Sequence, residues 1–508
     1  GETTEYAVRF LDLGELAARP PDLEAEATGQ DDPLEVETVV PDAPPEGPQP
    51  SDAVPAEETE ATEPAADTSA PKGTCVSPFG ALDAPEGERS TVRYGEEPAY
   101  YCGDALNVIV TQDRLELDPE AAAFRFIWVA ASQRGTVIKI DTDTGEILGE
   151  YWTAPIYDPE RPSMNPSRTV IDRNGNAWVG NRDDNFDRMG SVVQIGLLEN
   201  GQCEDRNGDG EITTSTGLGD VLGWSNENDA DRAGGVSTVE DECILKYVRV
   251  NATGVRFLSV DGDNGVWVTG TGEWDLDRID AATGEITKTV PDVRCAGYGG
   301  VIDRQGILWS ARGMLRWDLS VPYDRENITC GMNGAYGVGL GPNDEIWVSD
   351  FDHSVCLLDR ETGEAVRCHS AGEDVGASRG VAVTDDGHVW VVHSSGGAAT
   401  RFAPDGEIVT RIGVGSTPTG VAVDARGKVW VTNRSSNNVV RIDPTTNEVD
   451  LNVGLGGRGD PDELPYYAAA SPYTYSDMTG QLVFGPPESG TWQIVIPGPS
   501  FRTAWHEV

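Results

Sequence analysis

The sequence predicts an all-β fold: a seven-bladed β-propeller of four-stranded blades, with a calcium-loop insertion, an extended acidic Pro-rich N-terminal arm and a short C-terminal β segment. Three observations predict it. A tryptophan-marked unit recurs from about residue 100, each copy carries hairpin-turn residues at fixed places, and eight cysteines are present without a CxxC pair.

The unit reads as a small-apolar strand, Asp-x-x-Gly, apolar-Trp-apolar, a polar loop, apolar-x-Arg-Ile-Asp and Thr-Gly-Glu. Its last copy runs from Gly420-Val421-Ala422-Val423-Asp424 through Gly427 and Val429-Trp430-Val431 to Val439-Val440-Arg441-Ile442-Asp443. The equivalent tryptophans are Trp128, Trp178, Trp267, Trp309, Trp347, Trp390 and Trp430, spaced by 50, 89, 42, 38, 43 and 40 residues. A period of about 40–45 residues is that of one propeller blade. The long gap holds Gly201–Asp241, which is rich in Asp, Asn and Gly and is read as an insertion of about residues 200–243. In each unit Asp-x-x-Gly makes a hairpin turn, with Gly at positive φ, and the alternation around Trp sets the ring between sheets.

The remaining segments follow from composition. Residues 1–18 hold an isolated strand-like run, Tyr6–Leu13. Residues 19–73 are rich in Pro, Glu, Ala and Thr and cannot bury enough apolar surface to order themselves. Residues 74–457 are assigned to the propeller and 458–508 to the C-terminal β segment, in which Gly490–Ile496 reads as a strand. The terminal strands invite completion of one sheet, within a chain or between chains. Addition of residues 5–13 to a neighbour's tail would give a homo-oligomer or polymer.

The formal charge is -49, from 86 acidic and 37 basic residues. A surface so negative repels phosphate backbones, which argues against nucleic acid, and it attracts cations. No apolar run is long enough for a transmembrane helix, so membrane insertion is not expected. The cysteines, taken in order, are Cys75 and Cys102, Cys203 and Cys243, Cys295 and Cys330, and Cys356 and Cys368. Pairing in that order would close four short loops, though spacing does not fix the connectivity. Disulfides imply an extracellular or cell-surface location, with a signal peptide removed.

One local motif has metal-ligand spacing. Asp205-Arg206-Asn207-Gly208-Asp209-Gly210-Glu211-Ile212 places oxygen ligands at positions 1, 3 and 5, Gly at 6 and a carbonyl at 7, as a calcium loop does. Position 12 is Thr216 rather than an acid, and Asp220 is the expected substitute. The expected ligands of a structural Ca2+ are therefore Asp205, Asn207, Asp209, Glu211 and Asp220. Asp183–Asp187 and Asp261–Gly265 are weaker acidic turns.

The repeat resembles the streptogramin (virginiamycin B) lyase family and related NHL-type propellers. The resemblance rests on Gly337–Leu340 through Trp347–Asp350, Gly380–Val383 through Trp390, and Gly420–Asp443. It implies a propeller fold and, for the enzymes, a Mg2+-dependent elimination with a histidine base and acidic metal ligands at the funnel mouth. Those enzymes commonly carry Thr-Glu after the marker aromatic, whereas Asn181, Gly270, Asp350, His393 and Asn433 stand there in this chain. The expected reading is a secreted non-enzymatic branch that binds or scaffolds protein partners. The alternative is a C–O lyase using His353 or His393 with Asp350 and Asp352.

Overall fold

The computed structural model describes residues 6–9, 105–106, 108–110, 115–117, 125–155, 165–182, 189–225, 236, 238–239, 241–456, 469–475, 477–481 and 491–494. The chain divides into two compact units, residues 1–116 with 488–508, and residues 117–487. In the first unit Thr491–Ile494 is the middle strand of a three-stranded antiparallel sheet. Tyr6–Arg9 lies on one side, with Tyr6 opposite Ile494 and Arg9 opposite Thr491, and Ala105–Leu106 on the other. The acidic arm, residues 19–73, lies outside the described residues.

The second unit is built of antiparallel meanders. Phe126–Ala131, Thr136–Asp141 and Ile147–Trp152 make a three-stranded sheet. Four sheets have four strands each, spanning Gly300–Cys330, Ala335–Ser370, Ser378–Gly413 and Pro418–Gly454. Pro166–Ile171, Ala177–Asn181, Met189–Ile195, Ile244–Val260, Gly265–Gly272, Leu276–Asp280 and Ile286–Val290 make one seven-stranded sheet.

The propeller is therefore all-β as expected, but the expectation of seven four-stranded blades is not met. Five sheets stand as separate blades, four of four strands and one of three. The span expected to hold two further blades is a single sheet. Its cause is the 17-residue strand Ile244–Val260, which pairs through its first half with Met189–Ile195 and through its second with Gly265–Gly272. A blade boundary needs a loop at this point. Here Gly254, at φ +62, bends the strand without ending it, and a Cβ there would meet Thr271 Oγ1 at 2.9 Å.

The repeat's turn residue does more than make a turn. Asp424 accepts backbone N–H bonds from Arg426 and Lys428, each at 2.9 Å, and the Trp430 indole Nε1–H at 2.7 Å. Asp172, Asp261 and Asp303 hold the indoles of Trp178, Trp267 and Trp309 in the same way, at 3.0, 2.8 and 3.0 Å. One carboxylate thus closes the hairpin and satisfies the polar tip of the ring six residues on. In the sheet of Trp390 the position is Thr384, and the buried Trp390 indole N–H has no partner. All seven marker tryptophans are at most 3% exposed. They lie in apolar clusters shared between neighbouring sheets; Ile127, Val129, Ile138 and Ile140 of the first sheet meet Trp430, Val439 and Val453 of the last. That contact closes the ring, because no single sheet can cover both of its apolar faces.

Ring closure also uses a segment without regular structure. The free edge of Phe126–Ala131 is lined by Ala470–Met478. Tyr473 N–H donates to Ala130 O at 3.2 Å, Trp128 N–H to Met478 O at 2.9 Å and Gln133 N–H to Ala470 O at 3.2 Å. The propeller unit thus extends past residue 457 and takes in part of the tail.

Candidate functional site

The tail segment runs along the inner side of the ring, paired with Phe126–Ala131 and bonded to the inner strands of the last sheet. Thr419 Oγ1 donates to Pro472 O, Thr432 Oγ1 to Thr474 O and Thr479 Oγ1 to Val423 O. Tyr475 stacks on Tyr298 and Tyr336, with ring centroids 5.8 and 4.8 Å away. Gly420 and Gly299 permit this approach; a Cβ on Gly420 would stand 1.5 Å from Thr474 O. A cavity of about 40 Å³ remains beside Tyr475 and Asp477, room for little more than a water.

Tyr473 and Tyr475 are caged by arginines. The Arg168 guanidinium lies 3.3 Å over the Tyr475 ring, and those of Arg182, Arg256 and Arg434 lie 4.8, 5.8 and 5.7 Å from Tyr473. Arg379 stands 4.8 Å over Tyr336 and 5.6 Å from the exposed Phe351. The Tyr473 hydroxyl shares hydrogen bonds with Tyr336 at 2.6 Å and Tyr298 at 3.3 Å. Burial opposes ionisation of Tyr473, but Arg256, those two hydroxyls and Arg168 outweigh it and bring its pKa down to about 7. Burial pushes the Tyr475 phenol well above its ordinary range. Sequence reasoning missed this cage. Its arginines come from strands and loops far apart in the chain.

The expected lyase residues do not assemble into an acid–base site. His393 is fully buried, with Nδ1 3.2 Å from Ser378 Oγ and Nε2 2.9 Å from Thr400 Oγ1. Burial, then the nearby Arg411 and His353, lower its pKa to about 4. His353 faces Asp352 at 3.5 Å. Asp350 caps its own turn, accepting the N–H of Asp352 and of Ser354 at 3.0 Å each. Asn181 and Asn433, which follow the marker tryptophans like His393, donate to Thr153 O and Val414 O and tie their strand ends to neighbouring loops.

Three of the expected disulfides are formed, Cys203–Cys243, Cys295–Cys330 and Cys356–Cys368. Cys75 and Cys102 lie outside the described residues, as do Asp183–Asp187. The first bridge closes the insertion that carries the expected calcium loop. There Asp205 accepts the N–H of Gly208 at 2.7 Å and of Gly210 at 2.9 Å, and both glycines have positive φ. Asn207 and Asp209 accept the next turn amides, from Asp209 and Glu211. Asp220 bonds Thr216 at 2.5 Å, while Glu211 is exposed. The acid that reaches the loop is Glu242, which takes the N–H groups of Arg206, Asn207 and Thr213 at 2.8, 3.1 and 2.8 Å. The Thr213 amide leads in holding its pKa below the usual range, against burial. Its signal in the sequence was its place beside Cys243, which the bridge sets next to Cys203 and the loop. Asp205, Asn207, Asp209 and Glu242 thus turn side-chain oxygens onto the loop's own amides. Among the described residues no three His, Cys, Asp or Glu side chains converge on one metal position.

The fold and its bridges define a disulfide-stapled all-β propeller, closed on itself by its own tail. No protein-family model and no curated protein matches the chain. Among solved structures it is similar to selenomethionine-substituted virginiamycin B lyase from Staphylococcus aureus, at 16% identity and TM-score 0.41, over 66% of this chain and 96% of that one. It is similar also to a catalytically inactive variant of that enzyme with quinupristin, at 14% identity and TM-score 0.40, over 65% and 95%. A streptogramin B lyase structure gives 14% identity and TM-score 0.43, over 68% and 97%. These are the propellers that the repeat resembles.

Proposed function

We propose that this chain is a secreted or cell-surface, calcium-binding β-propeller that serves as a binding and structural scaffold rather than as a lyase. The observation that supports the reading is the tail inside the ring: Pro472, Tyr473, Met478 and Thr479 bond the inner strands of the first and last sheets, and the Tyr475 ring stacks between Tyr298 and Tyr336. The fully buried His393, whose pKa lies near 4, is a weak base at neutral pH. Three disulfides in a single propeller favour an oxidising location. A calcium ion on Asp205, Asn207, Asp209 and Glu242 would neutralise a loop that repels itself at neutral pH.

The sheet that joins the termini supports assembly as part of this reading. A strand such as Tyr6–Arg9, set on Thr491–Ile494 with a long linker behind it, makes the same backbone bonds from its own chain or from a neighbour. The test is the native mass of the full chain, by light scattering, beside that of a chain lacking residues 1–18. Multimers lost on deletion are expected; multimers that persist refute the strand-addition step. Turnover of a cyclic depsipeptide with Mg2+, abolished by His353→Ala, would refute the scaffold reading itself.

A further inference from the structure

Five arginines gather around Tyr473, Tyr475 and Tyr336 at one end of the ring. Eleven described arginines of the propeller unit pair with a carboxylate. Arg168, Arg182, Arg256, Arg379 and Arg434 do not, among the described residues. Arg182 bonds Asn165 through its carbonyl and side-chain oxygens. Arg256 donates to the Tyr298 hydroxyl at 2.9 Å, Arg379 to Ser394 Oγ at 3.1 Å and Arg434 to Ser471 Oγ at 3.3 Å. Arg168 is 0% exposed; its Nη1 reaches Ser167 O at 2.6 Å, and its Nε and Nη2 have no partner.

Gathered cations are costly once water is thinned out. Burial, then Arg256, lower the Arg182 pKa to about 10, and Arg168 adds to the repulsion. Arg434 is exposed and Arg182, Arg256, Arg379 and Tyr473 are half-buried, so the cluster is open to solvent at one end of the channel. Phe351, 54% exposed and 4.8 Å from the Tyr336 ring, adds an apolar rim. Guanidinium groups are weakly hydrated and match planar or tetrahedral oxyanions with paired N–H donors.

We propose that this mouth is an oxyanion-binding site, in which Arg182, Arg256, Arg379 and Arg434 take a carboxylate, sulfate or phosphate group over Tyr473. The site goes beyond the scaffold reading and does not require it. Tyr473 is the internal competitor. It faces Arg168, Arg182, Arg256, Arg434, Tyr298, Tyr336 and Tyr475, and its phenolate would occupy the field that the ligand needs. Oxyanion binding therefore weakens as pH rises through neutrality.

The test is calorimetric titration of the full chain with sodium sulfate, inorganic phosphate and succinate, at constant ionic strength held with chloride. Saturable binding of at least one of the three at pH 6 is expected, and the three arms separate the oxyanion classes. Affinity should fall at least tenfold in Arg256→Gln and in Arg379→Gln. Sulfate, whose charge is constant over pH 6–8, should bind more weakly at pH 8, and Tyr473→Phe should flatten that dependence. Arg434→Gln alters an exposed side chain and keeps the test readable if a buried variant fails to fold. Heats no larger than those of chloride for all three anions, or affinities unchanged in Arg379→Gln and Arg434→Gln, overturn the proposal. A chain that assembles but binds none of them sinks this inference and leaves the scaffold reading standing.

Discussion

Replacing Asp424 with Ala tests the device on which the repeat depends. The Asp424 side chain is buried and accepts three N–H groups, those of Arg426, Lys428 and the Trp430 indole. Truncation leaves the indole, in a fully buried ring, without a partner, at about 1–3 kcal/mol. The two turn amides lie nearer water and lose about 0.5–1.5 kcal/mol each. Burial raises the Asp424 pKa despite the donors, so relief of carboxylate desolvation offsets part of this loss. A net destabilisation of about 2–4 kcal/mol is expected. Guanidinium unfolding of the oxidised chain, with the slope compared between variants, measures it. A loss below about 0.5 kcal/mol at unchanged slope would refute the claim that the carboxylate staples turn to ring. The chain holds the converse case: Trp390 has no such partner because Thr384 occupies the position. Thr384→Asn offers an uncharged acceptor and should stabilise by up to about 1 kcal/mol.

Calcium chelation should lower the melting temperature of the wild-type chain, with recovery on adding calcium; Asp205→Ala and Glu242→Gln should remove the response, and a chelator-insensitive wild type would exclude the ion. Breaking Cys356–Cys368, which closes a span of 12 residues, should destabilise by about 3 kcal/mol by chain entropy, read as a shift in unfolding midpoint of the double Ser variant. His393 has a folded pKa near 4, below the ordinary 6.5, so the folded state resists its protonation. Its contribution is full above about pH 6.5 and falls as pH drops toward 4, by at most about 3 kcal/mol; unfolding free energies of His393→Gln should lose that slope, and an identical pH profile would refute the assignment.

The sequence shows its local devices plainly. Asp-x-x-Gly followed by Trp is a chemical sentence complete within seven residues, so its turn, carboxylate and ring could be read from one copy. The same holds for Asp205–Glu211, whose spacing already fixes the loop, and for cysteines close enough in the chain to close short spans. Glu242 was hidden because its contacts, with the amides of Arg206, Asn207 and Thr213, cross the insertion. The blade count failed for a related reason: nothing but Gly254 interrupts Ile244–Val260, and one glycine can either end a strand or merely bend it.

What periodicity cannot carry is the content of the axis around which the periods are arranged. Every copy contributes to the channel from its innermost strand or the loops beside it, at positions the shared pattern leaves free to vary. Arg168, Arg256, Tyr298, Tyr336, Arg379 and Gly420 are six such choices, unrelated in sequence; the first five meet Tyr473 or Tyr475 or the rings that touch them, and Gly420 meets Thr474 between the two. Gly420 has no side chain because Thr474 O passes where one would stand, and the Arg168 guanidinium lies over the Tyr475 ring at 3.3 Å. The repeat makes the ring stable, and the departures from the repeat make the mouth specific. Function in this chain is therefore best sought where the copies differ, around the tail segment that holds the ring closed.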